Sequence, residues 1–119
     1  MSHKTLPVKP TVSFKDIEKL DIRIGTITNV EDVPKSDKLV KLSVDFGDFS
    51  RTILVGMKKE REDCTEIIDK QALFIVNLEP KEMMGEVSEG MLFDIGYANG
   101  IIPVLATPEK PVPNGVCAG

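Results

Sequence analysis

The stretch LVKLSVDFGD, residues 39–48, alternates apolar and polar side chains with a period of two. Val40, Leu42, Val44 and Phe46 point one way; Lys41, Ser43 and Asp45 point the other. Successive side chains leave a strand on opposite faces, so this period predicts a strand with one buried and one wetted face. A lone strand or hairpin is marginal in water and needs further strands to cover its apolar side. The rest of the chain supplies them as short runs rich in β-branched and aromatic residues. LDIRIGTITNV lies upstream, and SRTILVG, QALFIVNL, GMLFDIG and IIPVLA lie downstream. EDVPKSDK, Gly47–Asp48 and YANG separate them with turn-forming residues.

In LDIRIGTITNV the alternation of Leu20, Ile22 and Ile24 with Asp21, Arg23 and Gly25 slips, so that Ile27 is apolar instead. A slip at a glycine predicts a bulge or sharp bend of the kind that small closed barrels need. SFKD predicts a short helix start, with Ser13 as cap and Asp16 in the capping-box position. Phe14, Ile17 and Leu20 would share one face, which must lean on something because so short a helix is unstable alone. The polar segment MKKEREDCTEIIDK, residues 57–70, allows a helical turn or two around Ile67 and Ile68. Five or six strands with a helical insert between the third and fourth predict an all-β, five-stranded Greek-key barrel of the oligonucleotide-binding (OB) type. The expected layout is an N-terminal arm over 1–13, the barrel over 14–106 and a C-terminal extension over 107–119. The Pro- and Gly-rich composition of that extension would by itself predict disorder.

The 119 residues fit one domain. No apolar run approaches the ~20 residues that cross a bilayer, and the first residues lack the apolar middle of a signal peptide, so a cytoplasmic location is expected. Cys64 and Cys117 form no C-x-x-C pair and are expected to be two unrelated thiols. His3, the one histidine, lies in the arm, which argues against a His/Cys metal site and against Ser-His or Cys-His catalysis. There is no phosphate-cradling G-x-x-x-x-G-K-[ST] or G-x-G-x-x-G run. The expectation is a binding module, not an enzyme, with no cofactor and no metal. The net charge of −4 argues against a general nucleic-acid binder. However, 13 of the 15 Lys and Arg residues lie at or before Lys70, so the first part of the chain could present a local basic face.

Three separated blocks occur in order: LDIRIG, SDKLVKLSVDFG and NLEPKEMMGEVSEGM. Together they resemble the tRNA-binding domain family, which includes methionyl-tRNA synthetase β-chains or C-terminal domains, free-standing tRNA-binding proteins and secretion-chaperone relatives. The most specific part is the N-L-x-P…G-x-x-S-x-G-M pattern, here Asn77, Leu78, Pro80, Gly85, Ser88, Gly90 and Met91. The resemblance implies the OB barrel, no catalysis and recognition of tRNA shape. It also implies a homodimer built through the N-terminal helix and C-terminal extension, with a methionyl-tRNA synthetase subunit as a possible partner.

The resemblance places Asn77, Ser88 and Met91 at the tRNA-contacting surface. The alternative roles are a strand-end backbone clamp for Asn77, a loop cap for Ser88 and a core position for Met91. The family usually carries Lys or Arg where this chain has Glu79, Glu82 and Met84, leaving Lys81 as the loop's cation. Arg23, Lys35, Lys38, Lys41 and Arg51, with Lys58, Lys59 and Arg61, could form a substitute basic face, or simply keep the surface soluble. A protein-interaction or chaperone-like barrel that has lost tRNA binding is the rival reading. It is motivated by the acidic loop and by Met83, Met84 and Met91.

Overall fold

The computed structural model describes residues 5–119; His3 and the start of the arm lie outside the described residues. Helix α1 (Phe14–Glu18) begins where the capping pattern places it, with the Ser13 N–H donating to the Asp16 carboxylate at 3.3 Å. Within the single chain the apolar face of the helix is left largely uncovered. Phe14 is 86% and Ile17 52% exposed.

Strand β1 (Ile22–Asp32) is long enough to serve two partners. Its first half pairs antiparallel with β4 (Gln71–Ile75), and its second half with β2 (Val40–Asp45). Thr26 is the handover residue, opposite both Gln71 and Asp45. The register shift falls between Ile27 and Asn29, not at Gly25, which corrects the sequence-based placement. Gly25 serves the bend in another way. A Cβ there would lie 2.6 Å from Val44 and 2.7 Å from the Phe46 ring, so the strand passes close over the core only without a side chain.

Strand β2 and β3 (Ser50–Val55) form the expected hairpin. A single 3₁₀ turn, Cys64–Ile67, is the helical content of the insert before β4, and it delivers Ile67 fully buried into the core. With β7 (Met91–Leu92) the sheet order is β3-β2-β1-β4-β7. Between β4 and β7 the chain makes an extra hairpin of β5 (Lys81–Met83) and β6 (Glu86–Ser88). Closure toward β3 comes from the residues after β6: the Glu89 N–H donates to Thr52 O at 2.8 Å, and the Glu89 carboxylate accepts the Thr52 N–H at 2.8 Å. The result is an all-β OB-type barrel. Ile27, Leu42, Val44, Phe46, Ile53 and Phe74 fill it, and Phe46 meets Phe74 edge-on at 5.4 Å.

A small hairpin of β8 (Asp94–Ile95) and β9 (Val104–Leu105) follows. The extension then returns to the barrel as an ordered strap, contrary to its composition. The Ile24 N–H donates to Val116 O at 3.0 Å, Gly115 N–H to Ile24 O at 2.8 Å, and Ala118 N–H to Ile22 O at 2.8 Å. These bonds occupy the edge of β1 beyond the end of β2. Asn114 Oδ1 accepts from Thr26 Oγ1 at 2.7 Å and from Gln71 Nε2 at 3.0 Å, pinning the strap to the handover point. Cys64 and Cys117 are free thiols.

Candidate nucleic-acid interface

The β5–β6 hairpin turns through Met84 (φ 51°) and Gly85 (φ 83°), both left-handed. That is the pairing a type I′ turn demands, although asparagine usually takes the first position. The hairpin lies over the outer side of β3. Ser88, 4% exposed, accepts the Leu54 N–H at 3.0 Å and donates to Gly90 O at 3.1 Å. Lys41 bridges from the other side, 3.2 Å from Glu86 and 3.3 Å from Glu31. Glu86 first, then Glu31, hold the Lys41 ammonium above its usual pKa.

The four loop glutamates therefore do different things. Glu86 is paired by Lys41, and Glu89 accepts a β3 amide. The side chains of Glu79 and Glu82 have no polar partner among the described residues.

Asn77 is exposed, but both ends of its amide are engaged: Oδ1 accepts the Asp21 N–H at 2.8 Å and Nδ2 donates to Lys19 O at 2.8 Å. It clamps the segment that leads from α1 into β1. Met91 is 41% exposed beside β4, with its backbone opposite Ile75. A cavity of about 520 Å³ opens here, walled by Leu54, Leu78, Met83 and Met91, with Glu79 and Lys81 also lining it.

The predicted cations fall into two groups. Arg23 is forked onto Asp21 through bonds of 2.8 and 3.0 Å, which hold the Asp21 carboxyl below its usual pKa, and its guanidinium lies 5.4 Å from the Phe49 ring. Lys41 is double-bridged as described. Arg51 sits 4.6 Å over the same Phe49 ring, and Lys35, Lys38, Arg51 and Lys81 carry no ion pair among the described residues.

Lys35 and Lys38 project from the 33–39 loop between β1 and β2. That loop meets the tip of the β5–β6 hairpin in a groove lined by Pro34, Lys35, Met84 and Gly85. Lys81 and Met91 line the cavity at the base of the hairpin, while Lys35 lies in the separate groove at its tip. Arg23 and Arg51 cluster around Phe49 at the far end of the β2–β3 hairpin, where Arg51 lies opposite Val44 while Lys41 lies opposite Leu54.

Sequence reasoning did not find the residue that shapes the loop. Lys58 Nζ donates to Val33 O at 3.0 Å and to Ser36 O at 2.6 Å and pairs with Asp32, while Ser36 Oγ accepts the Lys38 and Leu39 N–H groups at 3.1 and 3.0 Å. Lys58 looks on paper like any surface lysine, and no local pattern marks it.

A barrel whose first inter-strand loop and last inter-strand hairpin meet over β2 and β3 defines the OB class of binding domains, which take oligonucleotides or other chains between those loops. The sequence narrows this further. The profile of the family described as "Putative tRNA binding domain" matches residues 22–117, and the chain belongs to that family. It is 40% identical over 114 residues to a methionine–tRNA ligase of Parabacteroides distasonis, covering 96% of this chain and 16% of the ligase. The chain thus spans about a sixth of the length of that relative. Among solved structures, a MetRS-related protein from Pyrococcus horikoshii superposes with a TM-score of 0.83 at 28% identity, covering 93% of this chain and 100% of that one. The chaperone CsaA from Bacillus anthracis superposes with a TM-score of 0.80 at 30% identity, covering 92% and 100%.

Proposed function

We propose that this chain is a non-catalytic tRNA-binding module, acting in the cytoplasm either as a methionyl-tRNA synthetase β-type appendage or as a free-standing homologue. The observation that carries the proposal is the β5–β6 hairpin on a tRNA-binding-family barrel: the unpaired Lys81 and the exposed Met91 line one cavity, and the unpaired Lys35 lies in the groove at the hairpin tip. Lysines there suit phosphates of a folded RNA, and a thioether suits a ribose or base face. Lys38 and Arg51 extend the reach. Asn77 and Ser88 act as framework that fixes the hairpin and the α1–β1 junction, and Lys41 latches the hairpin against the barrel wall.

Homodimerisation belongs to the same reading. Phe14 and Ile17 on α1 and Val12 before it are exposed at 86%, 52% and 74%, an apolar face a second copy would cover. Two interfaces at fixed spacing then add avidity.

Titration with bulk tRNA between about 50 and 200 mM salt tests the proposal; four phosphate-contacting cations give a log–log slope of about −3 to −4. Lys35→Ala and Lys81→Ala should each flatten it by about one unit. Absence of binding at the lowest salt overturns the reading. The rival, a chaperone-like module for polypeptides, is favoured by the methionine-walled cavity and the likeness to the CsaA chaperone. Co-purification of a polypeptide without RNA absorbance would support it.

A further inference from the structure

The hairpin cavity combines features that a phosphate-binding surface alone does not call for. Leu54, Leu78, Met83 and Met91 give it apolar walls, and its volume of about 520 Å³ lies within the range of small-ligand pockets. Gly90 keeps it tight. A Cβ there would lie 2.6 Å from Ile75 O and 3.3 Å from Ile53 Cδ1, so the chain packs against β4 only as glycine. Ser88 lines the cavity too, but its hydroxyl is already spent on Leu54 and Gly90. The free polar groups are the Glu79 carboxylate and the Lys81 ammonium, both exposed and both without a side-chain partner among the described residues.

We propose that this cavity is a slot for one unpaired guanine base of the bound RNA; the proposal rests on the tRNA-binding reading and adds a base-specific subsite to it. Apolar walls of leucine and adaptable thioether side chains offer the faces of an unstacked base an apolar surface. An ionised carboxylate accepts hydrogen bonds and donates none. Guanine alone among the four bases presents two adjacent N–H donors, at N1 and N2, on its Watson–Crick edge, and a carboxylate can take both. Adenine and cytosine set a ring-nitrogen acceptor beside their amino group, and uracil flanks its single N–H with two carbonyls. Each places a lone pair against Glu79. Lys81, the first residue of β5 and in the lining of the same cavity, neutralises a phosphate beside the base. The glutamate that departs from the family's basic pattern thereby becomes a selectivity group.

The test uses the full chain, isotope-labelled, titrated with GMP, AMP, CMP and UMP at millimolar concentrations while backbone amides are followed by NMR. GMP should move the amides of Leu78, Glu79, Lys81 and Met91 with about tenfold higher affinity than the other three nucleotides. Glu79→Gln, isosteric at an exposed site, should cut that preference below about twofold, since a carboxamide cannot accept both guanine donors. Equal affinities for all four nucleotides, or no shifts at these amides, would overturn the slot even if tRNA still binds. GMP-specific shifts in a chain that binds no tRNA at low salt would overturn the RNA assignment itself. A leucine- or methionine-rich peptide that moves the same amides at lower concentration than GMP would reassign the slot to polypeptide.

Discussion

At the scale of single residues, Ser88 separates a contact from a fastener. It is buried, and Leu54, whose amide it satisfies, is 7% exposed. Ser88→Ala leaves that N–H without a partner where water barely reaches. The expected cost is about 1–3 kcal/mol, a fall in Tm of about 4–12 °C for a chain this size. Thermal melts followed by circular dichroism check it, and an unchanged Tm would return Ser88 to the list of direct contacts. The family resemblance groups Ser88, Asn77 and Met91 in one motif. It could not say which of them turn inward, because a serine in a loop reads alike whether it binds a phosphate or a backbone amide 34 positions away.

At the scale of elements, legibility followed locality. The alternation over residues 40–46 became β2 with Val40, Leu42 and Val44 buried, and Ser13 and Asp16 mark the start of α1 as their spacing implies. The two strands of the β5–β6 hairpin leave no local signal, since they are three residues each and their turn is Met-Gly in place of Asn-Gly. What holds it is tertiary: Ser88 to β3, and Lys41 to Glu86. The 33–39 loop is likewise set by a residue distant in sequence, Lys58. We expect Lys58→Met to raise hydrogen-exchange rates of amides 34–39 about tenfold or more, corresponding to about 1.4 kcal/mol of lost local stability. The core strands should keep their protection. Unchanged exchange in the loop would show that the Ser36 turn holds it without Lys58.

At the scale of the whole molecule, the resemblance implies a dimer built through the N-terminal helix and the C-terminal extension, yet the extension is engaged with its own barrel. Residues 115–118 bond to β1 of their own chain, and Asn114 ties the strap to Thr26 and Gln71. Deleting everything after Ala106 therefore strips an edge of the barrel, so a lost dimer in that variant would not by itself locate the interface. Phe14→Ser with Ile17→Ser is the cleaner probe, because both side chains are exposed in the single chain. Sedimentation at micromolar concentration should show monomer with Tm lowered only through the lost association. A double variant that still sediments as a dimer would move the interface elsewhere.

The sequence by itself determined the strand periods, the position of the helix and the motif that marks the family, since each depends on residues close together in the chain or on residue type alone. Only the tertiary structure decided that the Pro-rich tail is a strap, that Arg23 and Lys41 are already paired, and that Glu79 and Lys81 share an apolar cavity. The physical reason is the same in each case. Hydrogen bonds and ion pairs across a barrel join groups tens of residues apart, and which charge remains free is fixed only once every other charge has found its neighbour.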